Sequence, residues 1–170
     1  MACTGCSRCN LNIAGAGVLV LTKSKKFESE YDCILVKDYT GDFNDFGGKS
    51  EGRESSIVAQ AELLEESRGT ICIDSSALHT TRYVDIGHTK HVYRCYVVII
   101  PNVSCTTFYR TNTSGMSSAY RETTEMQRFP VRYIYDCLRT DLNDGKLYDD
   151  DCVKKPINDR LKAIIRKIFR

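Results

Sequence analysis

No apolar run in this chain approaches the roughly 18–20 residues a membrane span needs, so an integral membrane protein is not expected. Neither sign of charge dominates. The formal net charge is +2, and bulk electrostatics therefore name neither nucleic acid nor a membrane surface as a partner. Residues Met1 to Cys6 lack a charged segment followed by an apolar one, so no secretory signal is expected and the cytoplasm is the expected location. No internal repeat and no dividing linker is visible. Cys3, Cys6 and Cys9 have metal-ligand spacing, but no second Cys-x-x-Cys and no histidine pair follows, and a closed zinc site wants four ligands. A metal at these cysteines is thus one reading and a packed or loose tail the other.

What is present suits one ordinary domain. The 170 residues are 42% hydrophobic, which is enough for a core and argues against disorder. The expected division is a Cys-rich tail over 1–12 and one domain over 13–170. Cys33, Cys72 and Cys95 stand in apolar, strand-like runs and are expected to be reduced and buried.

The run Gly17 to Leu21 predicts a buried strand, and Tyr31 to Val36 its hairpin partner. Asp42 to Gly52 is rich in Gly, Asp, Asn and Ser and predicts a loop. A helix follows to about Ser67, with Ser55 or Ser56 as cap and Gly69 closing it. Short strands are expected over Thr70 to Ile73 and His79 to Ile86, and a long central one over His91 to Ile100. His88 and His91 flank a turn and take no ligand role. Pro101 to Gln127 is polar and reads as one long loop, a segment type that is often functional. Structure resumes at Phe129 to Ile134. A closing helix over 158–169 has Leu161, Ile164, Ile165 and Ile168 at helical spacing. The pattern is an α+β or α/β sandwich.

The chemistry is concentrated on the first helix. With Glu62 at zero on a helical wheel, Glu65 falls near about −60° and Glu66 near about +40°. Ile57, Ala61 and Leu64 lie opposite, the side expected to be buried. Three carboxylates so close repel one another, and a hard divalent cation with oxygen ligands would offset that. A solvated acidic face is the other reading. Gly47, Gly48 and Lys49 precede the helix. Paired glycines let the backbone approach an ion or phosphate closely.

At this point the chain resembles the Nudix family, whose box runs G-x5-E-x7-R-E-U-x-E-E-x-G-U with U aliphatic. Gly48 and Glu54 match the first glycine and first acid, Glu62, Leu63, Glu65 and Glu66 the E-U-x-E-E core, and Gly69 the last glycine. Gly47 matches the glycine that commonly precedes the box. The spacing is one residue short before Glu62 and one long after Glu66, and Ala61 stands where the family has an arginine that helps orient the acids. The segments Phe46-Gly47-Gly48-Lys49 and Arg121-Glu122-Thr123-Thr124-Glu125-Met126 are similar to Nudix proteins of large DNA viruses.

The resemblance implies an α/β/α sandwich with a mixed sheet and the box as loop–helix–loop. It implies Mg²⁺ or Mn²⁺ on Glu62, Glu65 and Glu66, with the Gly47 or Gly48 carbonyl completing the shell. Glu54 would buttress the loop, and Lys49 would balance charge near phosphates. The general base would be Glu125, Glu122 or Glu66 itself, with Glu125 placed first. Phe43, Phe46, Tyr109 and Tyr120 are candidate stacking surfaces for a base, and Arg110 and Arg121 candidate phosphate contacts.

The expected activity is cleavage of a diphosphate linkage in a nucleotide. mRNA decapping is the alternative, using RNA contacts along the helix over 158–169 through Arg160, Lys162, Arg166, Lys167 and Arg170. A diphosphoinositol substrate would call for more Lys and Arg near the box. A binding module without catalysis is the third reading, motivated by Ala61 and the displaced spacing.

Overall fold

The computed structural model describes residues 12–27, 30–88, 91–139, 146–148 and 154–169. Cys3, Cys6 and Cys9, and with them the expected tail, lie outside the described residues.

Strand β1 (Ile13–Lys23) is the spine of a seven-stranded mixed sheet. Its C-terminal half pairs antiparallel with β2 (Tyr31–Lys37), the expected hairpin. Its other edge pairs parallel with β6 (His91–Ile99), which in turn pairs antiparallel with β5 (Tyr83–His88). The segment expected to be a loop holds two short strands instead. β3 (Phe43–Asn44) extends β2, and β4 (Phe46–Lys49) pairs with the N-terminal half of β1. Their Gly and Asn content argues locally for a loop, but the edges of β2 and β1 supply hydrogen-bond partners that override weak propensity. β7 (Glu125–Pro130) pairs with the free edge of β2.

Side chains alternate across this sheet. Val18, Val20, Ile34 and Val36 point to one face, where they meet Val58, Ala59 and Leu63 of helix α1 (Ser55–Glu66) together with Phe46, Phe108 and Met126. Leu19, Leu21, Cys33 and Leu35 point to the other face. There they meet Ile134 of α4 (Val131–Arg139) and Leu161, Ile164 and Ile165 of α5 (Asp159–Ile168). Continuous apolar runs in β1 and β2 are thus a consequence of burial on both faces. Each such side chain contributes about 1.5–3 kcal/mol of hydrophobic stabilisation. The result is the expected α/β/α arrangement.

Several local expectations are corrected. Thr70 to Ile73 is not a strand; it leads into a short helix α2 (Ser75–Leu78), and Cys72 is exposed. The second strand region begins later than expected, at Tyr83. The stretch from Pro101 contains α3 (Cys105–Arg110), a 3-10 turn (Ser118–Arg121) and the start of β7. No described helix is long and apolar enough to cross a membrane.

Candidate metal and diphosphate site

Helix α1 starts as expected, but its cap differs. Glu54 holds the N-cap position with no side-chain cap bond, and its Oε1 accepts from Ser56 Oγ at 2.8 Å. The buried side of α1 is the row Ser56, Ala59 and Leu63, with Val58 beside it, whereas Ile57 is exposed. Glu66 continues that row one turn on, and Glu62 follows Val58 by four residues. The acids therefore border the buried face rather than oppose it. That position has an electrostatic cost. Burial first, then Glu65 and Glu122, push the Glu62 carboxyl above the usual range. Burial first, then Glu62 and Asp45, push Glu66 well above it, against the pull of one hydrogen bond and of the Arg160 charge. That bond is donated by Gly47 N–H to Glu66 Oε2 at 2.7 Å.

The glycines serve close approach. A Cβ on Gly48 would meet Glu62 Oε1 at 2.2 Å, so the missing side chain makes room for the carboxylate. The donor set of Glu62, Glu65, Glu66 and glycine-loop carbonyls is all hard oxygen, which fits Mg²⁺ or Mn²⁺. Among the described residues no three His, Cys, Asp or Glu side chains form a ready-made cage. The three glutamates are long and share one helix, so rotamer changes alone can bring their oxygens together.

The C-terminal end of α1 explains the displaced spacing. Gly69 N–H bonds Leu64 O at 2.7 Å and Arg68 N–H bonds Glu65 O at 3.0 Å, a Schellman closure with Arg68 at φ 55°. Counted from the acids, the family pattern puts its first glycine at 47, its first acid at 53 and its last glycine at 68. Arg53 and Arg68 stand there. Gly47 rather than Gly48 is then the leading glycine, and two changes of length become two substitutions. Arg68 tolerates its left-handed backbone while its guanidinium bonds Thr123 O at 2.6 Å and lies 4.1 Å over the Phe108 ring.

Thr123 also donates to Glu66 O at 2.8 Å. These two bonds strap the 3-10 turn to the end of α1 and bring Glu122 to the site. A cavity of about 470 Å³ is lined by Gly47, Gly48, Lys49, Glu66, Glu122 and Arg160, and continues past Asn44, Asp38 and Tyr39. Glu125, placed first in the sequence reading, is not on this cavity. It accepts from Lys37 Nζ at 2.6 Å and from Gln127 at 2.9 Å.

The aromatic expectations fare differently. Phe43 and Phe46 are fully buried, one in each core, which leaves neither ring a free face for a base. Tyr109 lines a separate cavity of about 720 Å³ with Lys25, Cys105 and Arg128, and its hydroxyl bonds the Met126 backbone. Tyr120 and Arg121 sit on the 3-10 turn and Arg110 in the last turn of α3, none of them lining the acid cavity. The basic strip over 158–169 is broken up. Lys162 Nζ bonds Asp159, Lys167 Nζ bonds Asp85 O, and Arg160 turns inward.

Sequence reasoning missed Asp45, Tyr93 and this use of Arg160. Asp45 is completely buried. It accepts from Tyr93 Oη at 2.7 Å and from Arg160 Nε at 3.0 Å, and Arg160 lies 4.4 Å over the Tyr93 ring. Burial pulls the guanidinium pKa down, but Asp45, Tyr93 and Glu66 together outweigh it and Arg160 stays charged. The one available signal was an aspartate between two phenylalanines just before the glycine pair, a charge flanked by core residues.

A pH dependence follows from the raised carboxyls. Glu66 binds its proton more tightly folded than unfolded, so its contribution is fully present below the ordinary glutamate pKa of about 4.3 and is lost as pH rises through the raised value. Thermal melts in chelator should therefore show Glu62 and Glu66 costing stability as pH rises above that range. Added Mn²⁺ should recover it at the higher pH. A Mn²⁺ effect that does not grow with pH would contradict the carboxyl assignment.

No family model and no curated protein matches the sequence. Solved structures do match. The chain is similar to a Nudix hydrolase from M. smegmatis, RenU, at 10% identity and a TM-score of 0.51, over 92% of this chain and 83% of that one. It is similar to a NUDIX hydrolase from Alicyclobacillus acidocaldarius at 10% identity and a TM-score of 0.51, over 92% and 90%. Both are bacterial and lend no support to the viral likeness. Nearly the whole length of the chain superposes on these enzymes, and the chain has the Nudix hydrolase fold.

Proposed function

We propose that this protein is a Nudix pyrophosphohydrolase that cleaves a diphosphate linkage in a nucleotide. One observation carries the reading: Glu66 of α1 is bonded to the glycine loop inside a cavity that also holds Glu122, Lys49 and Arg160. Carboxylates facing cations across one cavity suit a metal-bound diphosphate better than either charge alone would.

Glu62, Glu65 and Glu66, with a carbonyl of the glycine loop, would hold Mg²⁺ or Mn²⁺. Such an ion neutralises diphosphate charge and lowers the pKa of an attacking water. The exposed Lys49 ammonium takes a phosphate oxygen. Glu122, strapped beside Glu62 by the Thr123 bonds, accepts the proton from the attacking water; Glu125 is already committed to Lys37. Tyr39, 83% exposed on the cavity wall, offers a ring face for a base. Glu54 supports the helix start. Nothing in the arrangement of α5 favours a decapping enzyme over a nucleotide hydrolase, because Arg160, Lys162 and Lys167 are engaged within the protein.

The test is a panel of nucleoside diphosphates, triphosphates, diphosphate-linked nucleotides, capped RNA and inositol pyrophosphates, incubated with Mg²⁺ or Mn²⁺. Release of phosphate, pyrophosphate or a nucleoside monophosphate from a nucleotide is expected, and Glu65→Gln should abolish it. No turnover on any member, with nucleotide binding retained, would replace this reading with that of a binding module.

A further inference from the structure

The acidic face of α1 lacks the arginine that its motif provides at position 61, where this chain has Ala61. Two like-charged, partly buried carboxyls and a third carboxylate, that of Asp45, then stand close together with no cation from the motif. Of the cations near them, Lys49 and Arg53 are exposed. Arg160 is the one that reaches the glycine loop directly. Its Nε bonds Asp45 Oδ1 at 3.0 Å and its Nη2 approaches Gly47 O at 3.4 Å. The same Gly47 donates its N–H to Glu66. One glycine thus links the arginine on α5 to the acid on α1.

The placement of Arg160 is itself fixed. Asn158 caps α5 by accepting from Arg160 N–H at 2.8 Å, and Asn158 N–H bonds Phe43 O at 3.1 Å. The first turn of α5 is therefore pinned to β3, two residues before Asp45. The Tyr93 ring supports the guanidinium from below.

We infer that Arg160 is a positioning residue that stands in for the motif arginine, holding the glycine loop and Glu66 in register for the divalent cation. This rests on the metal-dependent reading above. A planar fork that bonds two acceptors at once is needed, so lysine is not an equivalent.

The competing role is a plain strut that neutralises buried Asp45. The two differ in sign. If Arg160 were only a neighbouring positive charge, removing it would relieve repulsion and tighten cation binding. If it positions the loop, removing it weakens binding.

The experiment is Mn²⁺ titration of the full chain, with free Mn²⁺ read by electron paramagnetic resonance, and thermal melts alongside. Arg160→Lys keeps the charge and is expected to weaken Mn²⁺ about 10–100-fold, the usual cost of losing a group that orients metal ligands. Arg160→Met leaves buried Asp45 with the Tyr93 hydroxyl but without its counter-ion and threatens the fold, so the double variant Asp45→Asn/Arg160→Met is made as well. It should melt near wild type and still bind Mn²⁺ at least about tenfold more weakly. Wild-type or tighter Mn²⁺ binding in the lysine variant or in the double variant overturns the inference and leaves the hydrolase reading standing. Absence of Mn²⁺ binding to the wild type overturns both.

Discussion

Glu66→Gln should make the metal-free protein more stable and the enzyme inactive. The side chain sits on the row of α1 that carries Ala59 and Leu63 into the core, and burial together with Glu62 opposes its ionisation. A neutral amide keeps an oxygen for Gly47 N–H and removes the charge. Above the carboxyl range the variant should therefore melt higher than wild type in chelator, and the gap should widen with pH. Turnover with Mg²⁺ or Mn²⁺ should fall at least about a hundredfold, several kcal/mol of transition-state stabilisation. Paired melts and rate measurements from pH 5 to 8 check both signs. A variant less stable than wild type at pH 8 would show that Glu66 holds the fold through its charge, contrary to this account.

Gly17→Ala should be the most damaging alanine substitution among the described glycines. Gly17 and Gly47 are direct partners across β1 and β4. A Cβ on Gly17 would lie 2.0 Å from Tyr93 Oη, 2.2 Å from Phe46 O and 2.8 Å from Gly47 Cα. Two of those atoms are backbone, so no rotamer change clears them. Relief requires β4 to move off β1, which also pulls Gly47 from Glu66 and Arg160. Overpacking a tight core typically costs about 1–3 kcal/mol, and a clash with backbone puts this change at or above about 3 kcal/mol. Denaturant unfolding measures it. A loss below about 1 kcal/mol would mean that the strand pair has slack the glycine contacts do not show.

The acids on α1 were legible because helical spacing alone brings positions 62, 65 and 66 together. The strands β1, β2 and β6 were legible because apolar runs buried on both faces need no partner to identify them. β3 and β4 were not, since a strand of two or four residues is made by the edge it joins. Arg160 was placed on a solvent strip by the same helical wheel that found its buried neighbours. Which way an arginine at the start of a helix turns depends on how that helix docks, and docking here is set by Asn158 and Phe43. Glu122 and Glu125 differ in surroundings because the strand begins at Glu125, a boundary set by pairing with Lys37 rather than by local sequence.

The bond between Asp45 and Arg160 spans 115 positions of sequence. A chain emerging from the ribosome makes β1, β2, β4 and α1 early, and with them the acids and a buried aspartate that lacks its cation. Until α5 has been synthesised and docked, that half-built sheet carries unbalanced negative charge beside the glycine loop. The guanidinium that balances Asp45 therefore arrives only after most of the chain has been made.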